Sequence, residues 1–415
     1  MVKLRLIPVA SPIHPKDRWM RKLTEATEKI SKANIEFELS ECISSLKDAS
    51  KIEKEDDMDG TLVLVLTGGT STIAKEVALR SNKPTAILAH GEDNSLPSSI
   101  EAREKLRSKG IYAKLIYLDY EQLELNEKLN AFAKIAKAYN YLRNFKIIGI
   151  ETNIERYVNI GDLKIEVVNI SDQELSNALN SVSDNEISQL EEKLAKWTEV
   201  IDVSTDDLKN SIKLYLATSK ILEKYGAKAV TFNCFKFILK HKITPCLTLS
   251  LLNSRGFLGV CEAEIPAAIA MAIGKAISEK PTFMGNFSAF NTMKNTITLA
   301  HCTAPLNVAK GKSRLVKHFE TELSVSLDVP IEEAHVALIT LSRDLNQVMV
   351  VEGKVVQSSM GNPSMCRTQI EIKLDMPVDK FVEKTLGNHQ IMVFGKMAKV
   401  INELAQTLKI EVVNP

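Results

Sequence analysis

The chain is short of almost every feature that would assign it by composition. It has no excess of either charge: 53 Lys and Arg against 52 Asp and Glu leave a net +1 over 415 residues. Bulk attraction to a polyanion is therefore absent, and neither nucleic acid nor an anionic membrane is expected as a partner. Its apolar runs are broken by Lys, Glu or Asn before they reach the roughly 20 residues of a membrane span. The first stretch, MVKLRLIPVASPIHPKD, is broken by Pro8 and Pro12, which predicts a strand and a turn rather than a signal peptide. The six cysteines (Cys42, Cys234, Cys246, Cys261, Cys302 and Cys366) form no CxxC pair. Scattered this way, they predict reduced, buried thiols of a cytoplasmic protein, not a disulfide framework or a structural zinc site. There is no Walker loop, no GxGxxG fingerprint, no internal repeat and no low-complexity segment.

What remains is the composition of a soluble globular protein, 45% hydrophobic and 25% charged, long enough for two or three domains. Over residues 1–145, apolar runs such as TLVLVLTGG alternate with helical segments such as STIAKEVALRS. That alternation predicts a doubly wound, parallel α/β domain. The TGGTST loop (67–72) between strand and helix offers backbone N–H groups that suit a phosphate or carboxylate. A second Rossmann-like α/β domain is read over 146–290, with FLGVCEAE as a strand and IPAAIAMAIGKAISE as the helix after it. From 291 to 415 short strands with turn residues between them dominate, which predicts a β-rich, barrel-like domain closed by a final helix.

Two carboxylates, Glu262 and Glu264, stand where that strand hands over to the helix, at the carboxyl end where open α/β sheets bind ligands. On an extended segment, residues two apart share a face. Taken alone, the pair equally fits one helix-start carboxylate and one solvated one. His301 in TLAHCTAP, Asn286 in PTFMGNF, Arg367 in CRTQI, His318 in KHFETE, and Asn388 and His389 in GNHQIMVFG are each weak signals singly.

Their order along residues 228–415 is more specific. It resembles the L-fucose isomerase-like family, related to L-arabinose isomerase. The resemblance implies two α/β domains and a β-rich domain, and a trimer or hexamer of identical chains. It implies aldose–ketose interconversion of a sugar through an enediol with a divalent cation, Mn²⁺ first. Carried over, Glu262 and His389 are metal ligands, His301 and Asn286 further ones, and Glu262 and Glu264 the catalytic carboxylates. Arg367, His318 and Asn388 are candidate substrate contacts. Hard oxygen and imidazole donors suit such a cation, which stabilises an enediolate. Asn286 departs from the family, which has an acid there; an amide cannot act as a base. Lyase or transferase chemistry on a sugar, or sugar binding without catalysis, are the alternatives.

Overall fold

The computed structural model describes residues 2–52 and 57–414. The chain forms two compact units, Met1–Tyr141 with Glu403–Lys409, and Leu142–Asn402 with Ile410–Pro415. Among the described residues no helix is long and apolar enough to cross a membrane.

In the first unit the strands β1 (Lys3–Val9), β2 (Glu36–Leu39), β3 (Gly60–Val65), β4 (Thr85–Ala89) and β5 (Ala113–Tyr117) form a parallel sheet of order β2-β1-β3-β4-β5. The run TLVLVL belongs to a strand buried on both faces. Leu62, Leu64 and Leu66 pack with residues of the helices Lys16–Ser31 and Gln122–Arg143. Val63 and Val65 pack on the opposite side with the helices Ser71–Ser81 and Ser95–Arg107. The period-two split of one apolar run between two helical layers makes the sheet doubly wound. In the TGGTST loop, two of the backbone donors that its sequence offers to an anion are taken up within the fold. The Gly68 N–H donates to the Asp93 carbonyl (2.7 Å) and the Thr70 N–H to the Ser98 hydroxyl (3.2 Å), so these donors are already committed.

The second unit opens with β6 (Lys146–Ile150), β7 (Tyr157–Ile160) and β8 (Leu163–Ile170). Then come β9 (Thr198–Val200), β10 (Ala229–Phe232) and β11 (Leu258–Val260). A sheet of order β11-β10-β6-β8-β7 is parallel except for β7. The remaining strands are β12 (Phe283–Asn291), β13 (Thr296–His301), β14 (Ser313–Val316), β15 (Ser326–Asp328) and β16 (His335–Leu341). They are followed by β17 (Gln347–Ser358), β18 (Thr368–Leu374), β19 (His389–Phe394) and β20 (Glu411–Val413). Six of these close into an antiparallel barrel, β16-β19-β12-β13-β18-β17, with β16 pairing back to β17. β12, read from sequence as the close of the α/β part, is therefore a barrel strand: both its neighbours are barrel strands. Closure leaves no free edge among these six.

The helix Ile265–Ser278 joins the parallel sheet to the barrel, with Pro266 in its first turn and eleven buried residues. Gly274 permits the close approach: a Cβ there would lie 2.5 Å from a methyl carbon of Val393 in β19 and 3.0 Å from one of Thr282. On the other side of β11, a Cβ at Gly259 would lie 2.6 Å from the backbone of Leu249, in the helix Cys246–Ser254. Two glycines thus fix the depth at which the strand carrying Glu262 is held.

Candidate functional site

The site is built on the residues after β11. The strand ends at Val260, two residues before Glu262. Glu262 and Ala263 both take left-handed backbone, φ +61° and +56°. The extended geometry expected of CEAE is therefore wrong, and the two glutamates do not share a face by strand alternation. Side chains with a Cβ pay roughly 1–2 kcal/mol per residue for this conformation. The surroundings hold it: the Ala263 N–H donates to the Phe232 carbonyl (2.7 Å) and the Glu262 N–H to the Cys234 sulfur (3.4 Å). Strain of this kind clusters at functional sites.

The turn separates the two carboxylates. Glu264 occupies the N-cap of the helix Ile265–Ser278, yet its side chain caps nothing. It accepts a hydrogen bond from Nδ1 of His389 at the start of β19, 125 residues away. The other ring nitrogen, Nε2, is buried and has no hydrogen-bond partner among the described residues. It lies 3.8 Å from a carboxylate oxygen of Glu262. The ring of His301, at the end of β13, stands 5.8 Å from that of His389, centroid to centroid. A ring nitrogen of His301, a carboxylate oxygen of Glu262 and the Cys261 sulfur lie within 4.8 Å of one another. Glu262, His301 and His389, predicted from three separate stretches of sequence, are thus brought together.

Asn286 on β12 is paired directly opposite His389. Its side-chain oxygen accepts from the Asn388 amide (3.1 Å), so the two candidate amides hold one another. Arg367 and His318 make their own contacts beside this group. Arg367 donates from Nε to the Lys317 carbonyl (3.1 Å) and stands 3.9 Å from Glu322. His318 is buried, bonded through Nδ1 to Thr321 (3.1 Å), with its ring beside the thiols of Cys246 and Cys302. Beside Glu262 and Glu264 opens a cavity of about 560 Å³, which Arg343, Leu386 and Gly387 also line. That volume lies within the usual range for small-molecule sites.

Burial pushes the Glu262 carboxyl above the ordinary glutamate value. His389 opposes the shift, and the charges of Glu264 and Glu320 add to it. Glu320, on the loop after β14, is thus an acid whose charge reaches Glu262. From sequence, Glu320 reads with His318 in KHFETE as a residue that lines a pocket or bridges strands, and it is not among the predicted site residues. His301 is pushed down to about 4, chiefly by burial, so its ring is neutral at physiological pH. Its Nδ1 accepts the Cys302 N–H (2.9 Å), which leaves the proton of the neutral ring on Nε2. In that tautomer the other ring nitrogen, Nε2, is a donor, not a ligand.

The donor set fits a divalent cation at Glu262 and His389. A histidine whose Nδ1–H is held by a carboxylate while Nε2 stays unpartnered is the usual arrangement of a metal-bound imidazole.

No family model matches the chain. A curated protein named "Sulfoquinovose isomerase", from Clostridium sp. (strain MSTE9), is 21% identical over 341 residues, which are 77% of this chain and 75% of that protein. The chain is therefore similar to a sugar isomerase, the class that its motifs resemble.

Proposed function

We propose that the protein is an L-fucose isomerase-like, divalent-cation-dependent ketol-isomerase that interconverts an aldose and a ketose in the cavity beside Glu262. The observation that carries this is the arrangement at His389: Nδ1 bonded to Glu264, and a buried, unpartnered Nε2 turned toward Glu262. The similarity to a sulfoquinovose isomerase supports the substrate class, a sugar.

Glu262 and His389 hold the cation, and Glu264 positions His389. A bound cation supplies charge stabilisation to adjacent sugar oxygens as the C–H bond at C2 ionises. The chain's own groups do the rest. Glu320 is the carboxylate free to take the proton from one carbon and return it to the next, a role for which Glu264 is not placed. His301 donates its Nε2–H to an oxygen that gains charge, and a neutral imidazole does this without needing a proton from solvent. The Asn286–Asn388 pair keeps amide N–H groups for sugar hydroxyls. Arg343 provides a cation at the cavity wall for an anionic substituent.

The test is proton exchange. The protein is incubated with Mn²⁺ and a panel of aldoses, neutral, phosphorylated and sulfonated, in deuterated water. NMR should show a ketose product and deuterium at the carbon that gains the proton. Glu262→Gln and Glu320→Gln should each remove both. No exchange and no product with any sugar, from protein shown to bind Mn²⁺, would leave a sugar-binding protein; fragments shorter than the sugar would indicate a lyase.

A further inference from the structure

Five of the six cysteines, far apart in sequence, meet in space. Cys234 and Cys261 touch sulfur to sulfur (2.7 Å) behind Glu262. The other three form a separate group. Cys302, directly after β13, lies close to Cys246, the first residue of the helix Cys246–Ser254, and interacts electrostatically with Cys366, just before β18. A ring nitrogen of His318, after β14, lies within 4.8 Å of the Cys246 and Cys302 sulfurs, which are themselves that close to one another. Cys246, Cys302 and His318 are buried, while Cys366 is partly exposed.

We propose that Cys246, Cys302, Cys366 and His318 form a structural zinc site, distinct from the cation site at Glu262 and His389. Three sulfurs and one imidazole are a common closed ligand set for Zn²⁺. With Zn–S bonds of about 2.3 Å, a tetrahedron sets its sulfurs on the order of 3.8 Å apart. That spacing suits the Cys246 and Cys302 sulfurs, which already lie within 4.8 Å of one another. The softness of the donors separates this site from the carboxylate and imidazole pair next to it.

The surroundings also suit a thiolate. The Ser326 hydroxyl, buried and without a hydrogen-bond partner among the described residues, is near Cys302. Cys246 sits at a helix N-terminus, where the backbone dipoles favour negative sulfur. His318 holds Thr321 through Nδ1, which fixes the ring with Nε2 free to ligate. Cys366, at the surface end of the group, gives the metal a way in. The ion would tie together four segments: the 246–254 helix, the end of β13, the loop after β14 and the lead into β18. This inference does not rest on the isomerase reading.

Metal identity and optical spectra test it. Protein purified reduced and without chelator should carry near-stoichiometric zinc by elemental mass spectrometry. Exchange for Co²⁺ should give a thiolate-to-cobalt charge-transfer band in the near ultraviolet and the strong visible bands of a tetrahedral ion. Both should be lost in Cys246→Ser and Cys366→Ser and kept in Glu262→Gln and His389→Asn. If a cysteine variant does not fold, the wild-type spectrum decides alone. Folded, reduced wild-type protein with no zinc and no thiolate band after Co²⁺ addition overturns the proposal. So does a band that survives in the Cys246 and Cys366 variants but disappears in Cys261→Ser, which would move the metal to the other thiol group.

Discussion

Replacing Glu264 by Gln separates two roles that the sequence alone leaves merged. The structure ties Glu264 to Nδ1 of His389 and leaves Nε2 turned toward Glu262. Glutamine keeps the size of the side chain and loses the charge, so His389 keeps its place but loses ligand basicity. Removing a partner of this kind costs about 10–100-fold in metal affinity. Glu264 is 31% exposed, so water screens part of the effect. The expectation is therefore about 10–30-fold, or ~1.4–2 kcal/mol of binding free energy. Calorimetric titration of metal-free protein with Mn²⁺ measures it directly. At saturating Mn²⁺, kcat should recover to within roughly tenfold of wild type, since a positioning residue that acts through the ligand is bypassed once the ion is bound. If Glu264 were the general base, Mn²⁺ affinity would hardly change and kcat would fall by about 10²–10⁴. Affinity within about twofold of wild type would refute the carboxylate–imidazole argument, whatever the activity.

Three further outcomes are expected. Metal-free Glu262→Gln should melt higher than wild type at neutral and alkaline pH and equal to it below the ordinary glutamate value of 4.5. The fold raises the pKa of this carboxyl, so it holds the proton more tightly than the unfolded chain does. Wild-type stability then falls as pH rises from that value through the raised one, a loss the uncharged amide avoids; calorimetric melting across pH checks the sign. Gly274→Ala should destabilise by about 1–3 kcal/mol, because the added methyl meets Val393 and Thr282 in a packed interface; a denaturant series reads it, and an unchanged midpoint would mean that the helix is free to lift off the barrel. Asn286→Asp should tighten Mn²⁺ roughly tenfold, the worth of about 1.4 kcal/mol from one added charge near the ion, and lower the melting temperature of the metal-free protein.

The sheets were legible because burial on two faces writes itself into sequence as unbroken apolar runs; TLVLVL is one, and it became β3. The barrel was legible as a change to short strands, although β12 was given to the wrong layer because an apolar strand carries no mark of its partner. At the site, Glu262, His301 and His389 were reached through the order of the motifs, and the chain does bring them together. The turn at Glu262 and Ala263 was hidden, since neither residue type signals left-handed backbone. So were the hydrogen bond from His389 to Glu264 and the meeting of Cys246, Cys302 and Cys366. Each joins residues from remote segments, and spacing along the chain says nothing of such contacts. The scattered cysteines, read as isolated, are neighbours for that reason.

Asn286 becomes intelligible from the same contacts. Read against the family pattern, it is a missing acid. In the fold, the charges of Glu264 and Glu320 already push the Glu262 carboxyl toward the protonated form. A further carboxylate opposite His389 would be a fourth negative charge in the cluster. Before an ion arrived, His389 would be its one basic neighbour on the facing strand. Like charges so close repel one another and destabilise the empty site. An amide at 286 avoids that repulsion and is held in place by Asn388. The acid the family keeps on β12 is, on this reasoning, supplied from the loop after β14 by Glu320, so the chemistry would need the same number of carboxylates but draw one of them from a different segment.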